Sequence, residues 1–580
     1  MMNELDTESY RKDRKKYTEA VLKSPSRKKL IIAGPGTGKT YIFKSLLGRI
    51  GRDSGEIGLV LTFIKNLVAD LKIDLAGLAK VSTFHAYCKS IVHTFRNDKF
   101  EYYPNILKLI ERDFDILGLE KDNNEEIERC FFGLKNNNVI NSTLKIGDYY
   151  NAAGHSDSAY RVIRYFEAYP NRIPNYPLVI FDEYQDFNFL ETSLVEVLSR
   201  KSPVLIVGDD DQALYAFKQA SPNYIRQLVQ DREFQRFELP YCSRCTNVIL
   251  EAVKKIVRIA KQNGYLEGRV DKPFEYFPPD KENDSKRNPQ IINVNCTVER
   301  KNCHYIGKFI AKEISEIPAS YIRESKRRHE PTVLIIGPGQ FLEGVKIELN
   351  KKFGFVSDKK RDDEEISILD GYRSLIKNPK SRLGWRILLH CKPCDNSERI
   401  IRKAILGDKN IIDLVVSRKY ASEHLEISNI VNKIICGGDL SVAEQRTIEA
   451  ITAFSPEEVK TKLASDKEEE DKAPEQIREN EIGLPDILCT SFQGSKGLAA
   501  QCVFIVGVNN KHFPQRTPPS NMEIYKLIVA LTRTRKRCYM ISCNMFAGEA
   551  LEPSIYKTWL KDELSEEIYV DRKFIGRFCN

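Results

Sequence analysis

Short, continuous apolar runs bounded by turn residues recur along the chain: KLIIAGPG, IGLVLTF, PLVIFDE, SPVLIVGD, TVLIIGPG, QCVFIVGV and RCYMIS. Each is rich in Ile and Val, which suits strands buried on both faces of a parallel sheet. Amphipathic segments separate them, as βα units require. The runs fall into two groups, about 28–208 and about 331–541, and predict an α/β protein with two parallel-sheet cores. Polar stretches with helical patterning interrupt both groups, over about 93–175 and 366–480. The second ends in SDKEEEDKAPEQIREN, whose charge predicts a solvated linker rather than an acidic binding tail.

The chain has 580 residues, too many for one core. A net charge of +9 and a pI near 8.7 permit a polyanionic partner without requiring one. The N-terminal MMNELDTESYRKDRKKYTEA has no apolar signal region, and no run reaches the roughly 18 apolar residues of a membrane span, which predicts a cytoplasmic protein. The 14 cysteines are scattered and are expected to be buried free thiols. Two Cys-x-x-Cys pairs, Cys242/Cys245 and Cys391/Cys394, could between them supply four zinc ligands. Neither lies among other ligands, so thiols beside other functional parts are the favoured reading.

LIIAGPGTGKT (30–40) reads as a strand, a glycine-rich turn and a helix start. In such a loop the backbone of Gly34, Pro35, Gly36, Thr37 and Gly38 curls round a phosphate chain, Lys39 reaches the β- and γ-phosphates, and Thr40 offers a hydroxyl to Mg²⁺. PLVIFDEYQDFN ends a strand in two acids: Asp182 to hold the metal and Glu183 to polarise an attacking water. Without a phosphate site the pair would read only as helix-capping acids. In VGDDDQALYAF (207–217), Gln212 stands where an amide could contact the γ-phosphate or the water. Asp209, Asp210 and Asp211 would cluster near the metal or cap a turn. Tyr215 and Phe217 point the other way, as base-stacking rings or as core. ATP and Mg²⁺ are the expected cofactors.

The ordered set AGPGTGKT, LTFIKNLVADLK, VSTFHAYCKSIV, FDEYQDFN, VGDDDQALYAFK, LPYCSRCTNVIL, SFQGSKGLAAQCVFIVGV and IVALTRTRKRCYM resembles the UvrD/Rep/PcrA-like superfamily 1A helicases, over about residues 28–541. The resemblance implies two RecA-like domains with ATP between them, single-stranded DNA across both, and 3′→5′ translocation. It divides the chain into a first domain (1–92 and 176–235) with a helical insert (93–175), and a second domain (236–365 and 481–580) with a short insert and charged linker (366–480). It implies a nucleotide-site role for Gln185, γ-phosphate sensing for Gln212, and arginine fingers at Arg244 and Arg533. On the DNA side it implies Phe63, Thr83, Phe84, His85, Tyr215, Phe217 and Lys496, the last on a phosphate.

Departures from the family pattern bear on function. Tyr17 stands at the adenine-reading glutamine, which removes the amide that reads the base edge. Ala499 replaces Glu after KGL, Gln493 replaces His, and Lys218-Gln219 replaces Arg-Gly, which loses a bidentate donor. Ser243-Arg244-Cys245 stands for Tyr-Arg-Ser. The first expectation is an ATP-dependent single-stranded DNA translocase and helicase. The second is a DNA-stimulated ATPase that senses DNA ends or junctions beside a nuclease partner, with weak unwinding, as in compact relatives of Gabija-type anti-phage systems. A non-hydrolysing DNA scaffold is a third, and it conflicts with the full set of catalytic residues.

Overall fold

The computed structural model describes residues 4–63, 65–96, 100–119, 123–279, 282–299, 302–354, 356–358, 365–415, 418–471, 484–561 and 563–578. Among them two parallel sheets form the frame. The first holds β1 (Lys28–Ile32), β2 (Gly58–Thr62), β3 (Ala79–Thr83), β4 (Val179–Asp182), β5 (Val204–Gly208) and β6 (Gln235–Glu238), in the order β3-β2-β4-β5-β1-β6. The second holds β7 (Ile291–Cys296), β8 (Val333–Ile336), β9 (Ser357–Asp358), β10 (Ile487–Thr490), β11 (Ala500–Val506), β12 (Thr534–Cys543) and β13 (Ser565–Val570), in the order β9-β10-β8-β11-β12-β7-β13. The expected α/β architecture with two sheet cores is therefore present.

Every position of β2, β5 and β11 is buried, because helices cover both faces. The edge strands differ: β6 buries only Phe237 and β13 only Val570. In the first sheet, Ile32 pairs with Gly208 and Thr62 with Asp182, so the carboxyl ends of β1, β4 and β5 finish side by side. That end of a parallel sheet is where ligands bind in open α/β folds.

The segment between β3 and β4 is mainly helical, with helices Ile106–Leu117, Asn138–Tyr150 and His155–Ala168. So is the segment between β9 and β10, from Ile368–Lys377 to Pro456–Asp471. The start of the charged run, expected as linker, is helical up to Asp471; residues 472–483 of the expected linker and domain boundary lie outside the described residues.

The two inserts share one apolar core, which also reaches one face of the first sheet. Within that core Arg386 of the second insert donates from Nε to Asp113 Oδ1 of the first at 2.8 Å, and the Tyr150 hydroxyl donates to Asp113 Oδ2 at 2.6 Å. Asp113 is fully buried and Arg386 is 2 % exposed. Arg402 adds a bond to the Ile116 carbonyl at 2.9 Å, and the Tyr149 hydroxyl one to the Lys409 carbonyl at 2.7 Å.

A buried ion pair contributes little net stability while intact, but removing one partner strands a desolvated charge. Asp113→Ala is therefore expected to cost about 3–5 kcal/mol in denaturant unfolding. Asp113→Leu combined with Arg386→Met should recover most of it. A single variant as stable as the parent would show that the inserts do not depend on this contact.

Candidate ATP site and nucleic-acid face

The loop after β1 leads directly into helix Lys39–Ser54. Gly36 and Gly38 have φ of +70° and +97°, a region that L side chains rarely adopt. A Cβ on Gly36 would also stand 2.5 Å from the Arg244 Cβ. The Thr37 hydroxyl closes the turn on the Gly34 carbonyl at 2.9 Å. Phe274 lies over the loop, so a Cβ on Gly34 would meet its ring at 2.6 Å. The turn, Lys39 at the helix start and the oxygen donors Thr40 and Asp182 make a set that suits a phosphate chain and a hard divalent cation.

Asp182 ends β4, and Glu183 follows it at φ +57°. A non-glycine residue held in the left-handed region is a strained position, common at functional sites. The Lys39 ammonium lies 3.5 Å from Glu183 Oε1, and Gln185 Nε2 donates to Glu183 Oε2 at 2.6 Å. Gln185 Oε1 in turn accepts the Asp209 N–H at 2.9 Å, which joins the ends of β4 and β5. Burial alone would raise the Glu183 carboxyl; Lys39, Lys496, the Gln185 bond and Arg533 outweigh it and hold it low, as an anion. Asp182 goes the other way, raised by burial and by the charge of Glu183.

The second sheet reaches into this cluster. Arg533, at the end of helix Asn521–Thr532, donates from Nη2 to Gln212 Oε1 at 2.9 Å, while Gln212 Nε2 donates to Asp209 Oδ2 at 2.6 Å. Burial and the neighbouring Arg244 charge pull the Arg533 guanidinium down to about 9. The Ser243 N–H donates to the Gly36 carbonyl at 2.9 Å, so the segment carrying Arg244 rests on the phosphate loop itself.

Two expectations need correction. Lys496, expected on a DNA phosphate, is 1 % exposed. It is paired with Asp186, lies 3.3 Å from Glu183 Oε2, and donates to the Gln212 carbonyl at 2.8 Å. The buried carboxylates hold the ammonium inside, between the sheets. Phe84, expected along the strand, is 1 % exposed and packs against Phe187, because as the first residue of its helix it turns into the core. Asp209 does cap a turn, as one of the two expectations for the triplet had it, its Oδ1 accepting the Asp211 N–H at 3.2 Å, and the triplet as a whole is buried around cations. Asp209, Asp210 and Asp211 surround the Lys272 ammonium at 2.8, 2.6 and 2.8 Å. Arg269 pairs with Asp211 at 2.8 Å and Arg226 with Asp210 at 3.0 Å. Lys272 and Arg269 follow helix Asn247–Gln262 in the chain. Their spacing carried no signal in isolation, and neither was anticipated.

Three of the remaining expected residues, Phe63, Tyr215 and Phe217, form a row. The Phe63 and Tyr215 rings lie 4.9 Å apart, Tyr215 and Phe217 5.7 Å apart, and the Lys218 ammonium sits 4.9 Å over Phe63. Phe217 is 54 % exposed, which a core ring would not be. Thr83 caps the helix that follows it, its hydroxyl oxygen accepting the Ala86 N–H at 3.1 Å. The His85 ring lies 5.0 Å from that of His155, a residue of the first insert. On the far side of the phosphate loop, Arg14, Tyr17, Thr37, Gly38, Tyr41 and Tyr241 line a recess, and the Tyr241 hydroxyl donates to Asp13 at 2.5 Å. Tyr241 and Arg14 were not anticipated there. The two Cys-x-x-Cys pairs sit apart, Cys242/Cys245 at this cleft and Cys391/Cys394 in the second insert.

Two parallel sheets with a phosphate loop at one sheet's carboxyl edge, and arginines delivered from the other, define a P-loop nucleotide-binding protein of the tandem RecA-like class. Residues 17–218 match the AAA domain family. The chain is 21 % identical to the ATP-dependent DNA helicase PcrA of Leuconostoc citreum, over 93 % of this chain and 84 % of that protein. It is 26 % identical to the ATP-dependent DNA helicase UvrD1 of Mycobacterium tuberculosis, over 42 % and 38 %, and 23 % identical to DNA helicase II of Haemophilus influenzae, over 44 % and 42 %. The chain is thus similar to DNA helicases of the PcrA and UvrD kind, along most of its length in the case of PcrA.

Lys272 carries the pairing of three buried acids, so Lys272→Met is expected to destabilise the folded chain by about 3–5 kcal/mol. Denaturant titration checks this, and a loss below about 1 kcal/mol would mean that Arg269 and Arg226 suffice to hold the triplet.

Proposed function

We propose that the chain is an ATP-dependent 3′→5′ single-stranded DNA translocase and helicase that works in the cytoplasm. The observation that carries this reading is the Arg533–Gln212 bond at 2.9 Å, which links the second sheet to the tip of β5 three residues before Tyr215. The phosphate site, the second sheet and the aromatic row thereby share one short stretch of chain. The similarity to DNA helicases supports DNA as the substrate. Among the described residues no helix is long and apolar enough to cross a membrane.

In this reading the backbone N–H groups of Gly36, Thr37 and Gly38, with Lys39, hold the triphosphate. Thr40 and Asp182 would hold Mg²⁺, which supplies neutralisation of phosphate charge. Glu183, kept anionic by Lys39 and Lys496, accepts the proton of the attacking water. Arg244 and Arg533 act as arginine fingers and Gln212 as the γ-phosphate sensor, so hydrolysis requires both sheets in place. Phe63, Tyr215 and Phe217 stack on bases, and Thr83 and His85 flank the strand. A cycle of cleft opening and closing releases and regrips the strand on alternate sides.

A second reading is a DNA-stimulated ATPase with weak unwinding, a sensor of DNA ends or junctions in a nuclease complex of anti-phage defence. The packing of the second insert against the first through Asp113–Arg386 favours it, because that contact leaves the second insert little freedom to engage duplex.

Steady-state ATP and GTP hydrolysis, with and without single-stranded DNA, should show strong stimulation by DNA. Glu183→Gln should lower it by roughly a hundredfold or more. A weak preference between the two nucleotides is expected from Tyr17, which lacks the amide that would read the base edge. Translocation assayed from labelled 3′ and 5′ ends gives the polarity. Stimulated hydrolysis without strand displacement by the isolated chain selects the second reading, and absence of stimulation removes the motor reading.

A further inference from the structure

The Cys242/Cys245 pair has no part in the chemistry described above, yet it brackets one of its arginines. Both thiols are fully buried. Cys242 Sγ would stand 3.1 Å from a Cβ on Gly36, so it faces the phosphate loop directly. Cys245 Sγ lies 3.6 Å from the Thr532 carbonyl, one residue before Arg533. The turn between them carries Ser243, whose N–H holds the Gly36 carbonyl, and Arg244. Burial alone would raise the Cys242 thiol; the neighbouring Cys245, the Arg244 and Cys245 backbone and the Arg244 charge overcome it and hold it at about 6. The second pair differs, since burial pushes the Cys391 thiol up to about 11. A thiol held low beside a second thiol, at Cys-x-x-Cys spacing and with an arginine between them, is the arrangement of a reactive dithiol.

We infer that Cys242 and Cys245 form a redox modification site within the ATP cleft, oxidised by hydroperoxides to a disulfide that disables Arg244. The Cys242 thiolate attacks the O–O bond of the peroxide, takes one oxygen as a sulfenic acid and releases water after protonation. The Cys245 thiol then attacks the sulfenic sulfur. The S–S bond forms, and the hydroxyl leaves as water with the thiol proton. In sum the two thiols lose two electrons and two protons, and hydrogen peroxide becomes two waters. The product ring spans Ser243 and Arg244, removes the thiolate held beside the Arg244 charge, and shifts the backbone that seats the arginine on the phosphate loop.

The site is covered by the phosphate loop, so the inference rests on the proposed opening of the cleft. Oxidation should proceed in the nucleotide-free protein and slow when a non-hydrolysed ATP analogue with Mg²⁺ is bound.

The test is hydrogen peroxide treatment of the full chain, with and without that analogue, followed by peptide mass mapping and by DNA-stimulated ATP turnover. The expected result is a Cys242–Cys245 disulfide together with a loss of turnover of at least about tenfold, a fraction of what loss of an arginine finger costs. A dithiol reductant should restore it. Cys242→Ala should keep turnover under peroxide, and Cys245→Ser should stop at a sulfenic acid on Cys242 that dimedone labels. A disulfide that forms equally fast with the analogue bound supports the modification site while counting against nucleotide-driven cleft closure. The inference is overturned if exposed Cys436 oxidises while the 242–245 peptide stays reduced without nucleotide. It is equally overturned if Cys242→Ala loses turnover under peroxide as the parent does.

Discussion

Where the two sheets meet, charge has been removed from water, and each charged group there must find its counterpart across the seam. Lys496 from one side is held by Asp186 and Glu183 from the other; Arg533 is held by Gln212. In a low-dielectric seam an unpaired member would cost several kcal/mol, so the mutual position of the sheets is fixed by charge as much as by apolar packing. In the proposed reading, the same desolvation would make these groups effective. A guanidinium and an anionic carboxylate already fixed in place need no reorganisation when charge develops on a reacting phosphate.

The seam also shortens the route between functions. Gln212 contacts Arg533 with its side chain and Lys496 with its carbonyl, and Tyr215 follows three residues later. The Tyr215 hydroxyl lies 3.5 Å from the Gln493 carbonyl on the loop that carries Lys496. In the proposed reading, a change in how the arginine engages nucleotide would reach the rings without a long chain of intermediaries. The Lys272 clasp steadies this stretch from beneath, holding the aspartates that begin it.

Much of this was legible in the sequence because its signals are local. Buried parallel strands write continuous apolar runs, and β1, β2, β4, β5, β8, β11 and β12 coincide with them. Of the strands that went unread, β6 and β13 lie at sheet edges, where one buried side chain suffices, whereas β7 and β10 are interior to the second sheet. The phosphate loop and the acids after β4 were legible because their spacing is set by backbone geometry over a few residues. What escaped was nonlocal. Lys272 meets the aspartate triplet across about sixty positions, and Lys496 meets Asp186 across about three hundred. Lys496 and Phe84 were misplaced for one reason: a motif gives a residue's neighbourhood, whereas burial decides which way its side chain turns.

The shared core of the inserts has a mechanical consequence. The second insert is threaded from the second sheet, leaving after β9 and returning at β10, yet its apolar side is built into the first insert and the first sheet. The chain therefore crosses between the sheets' territories twice more than the sheets themselves require. The two inserts are therefore one packed body shared between the sheets, and a displacement of either sheet is felt by both inserts for as long as that shared core holds.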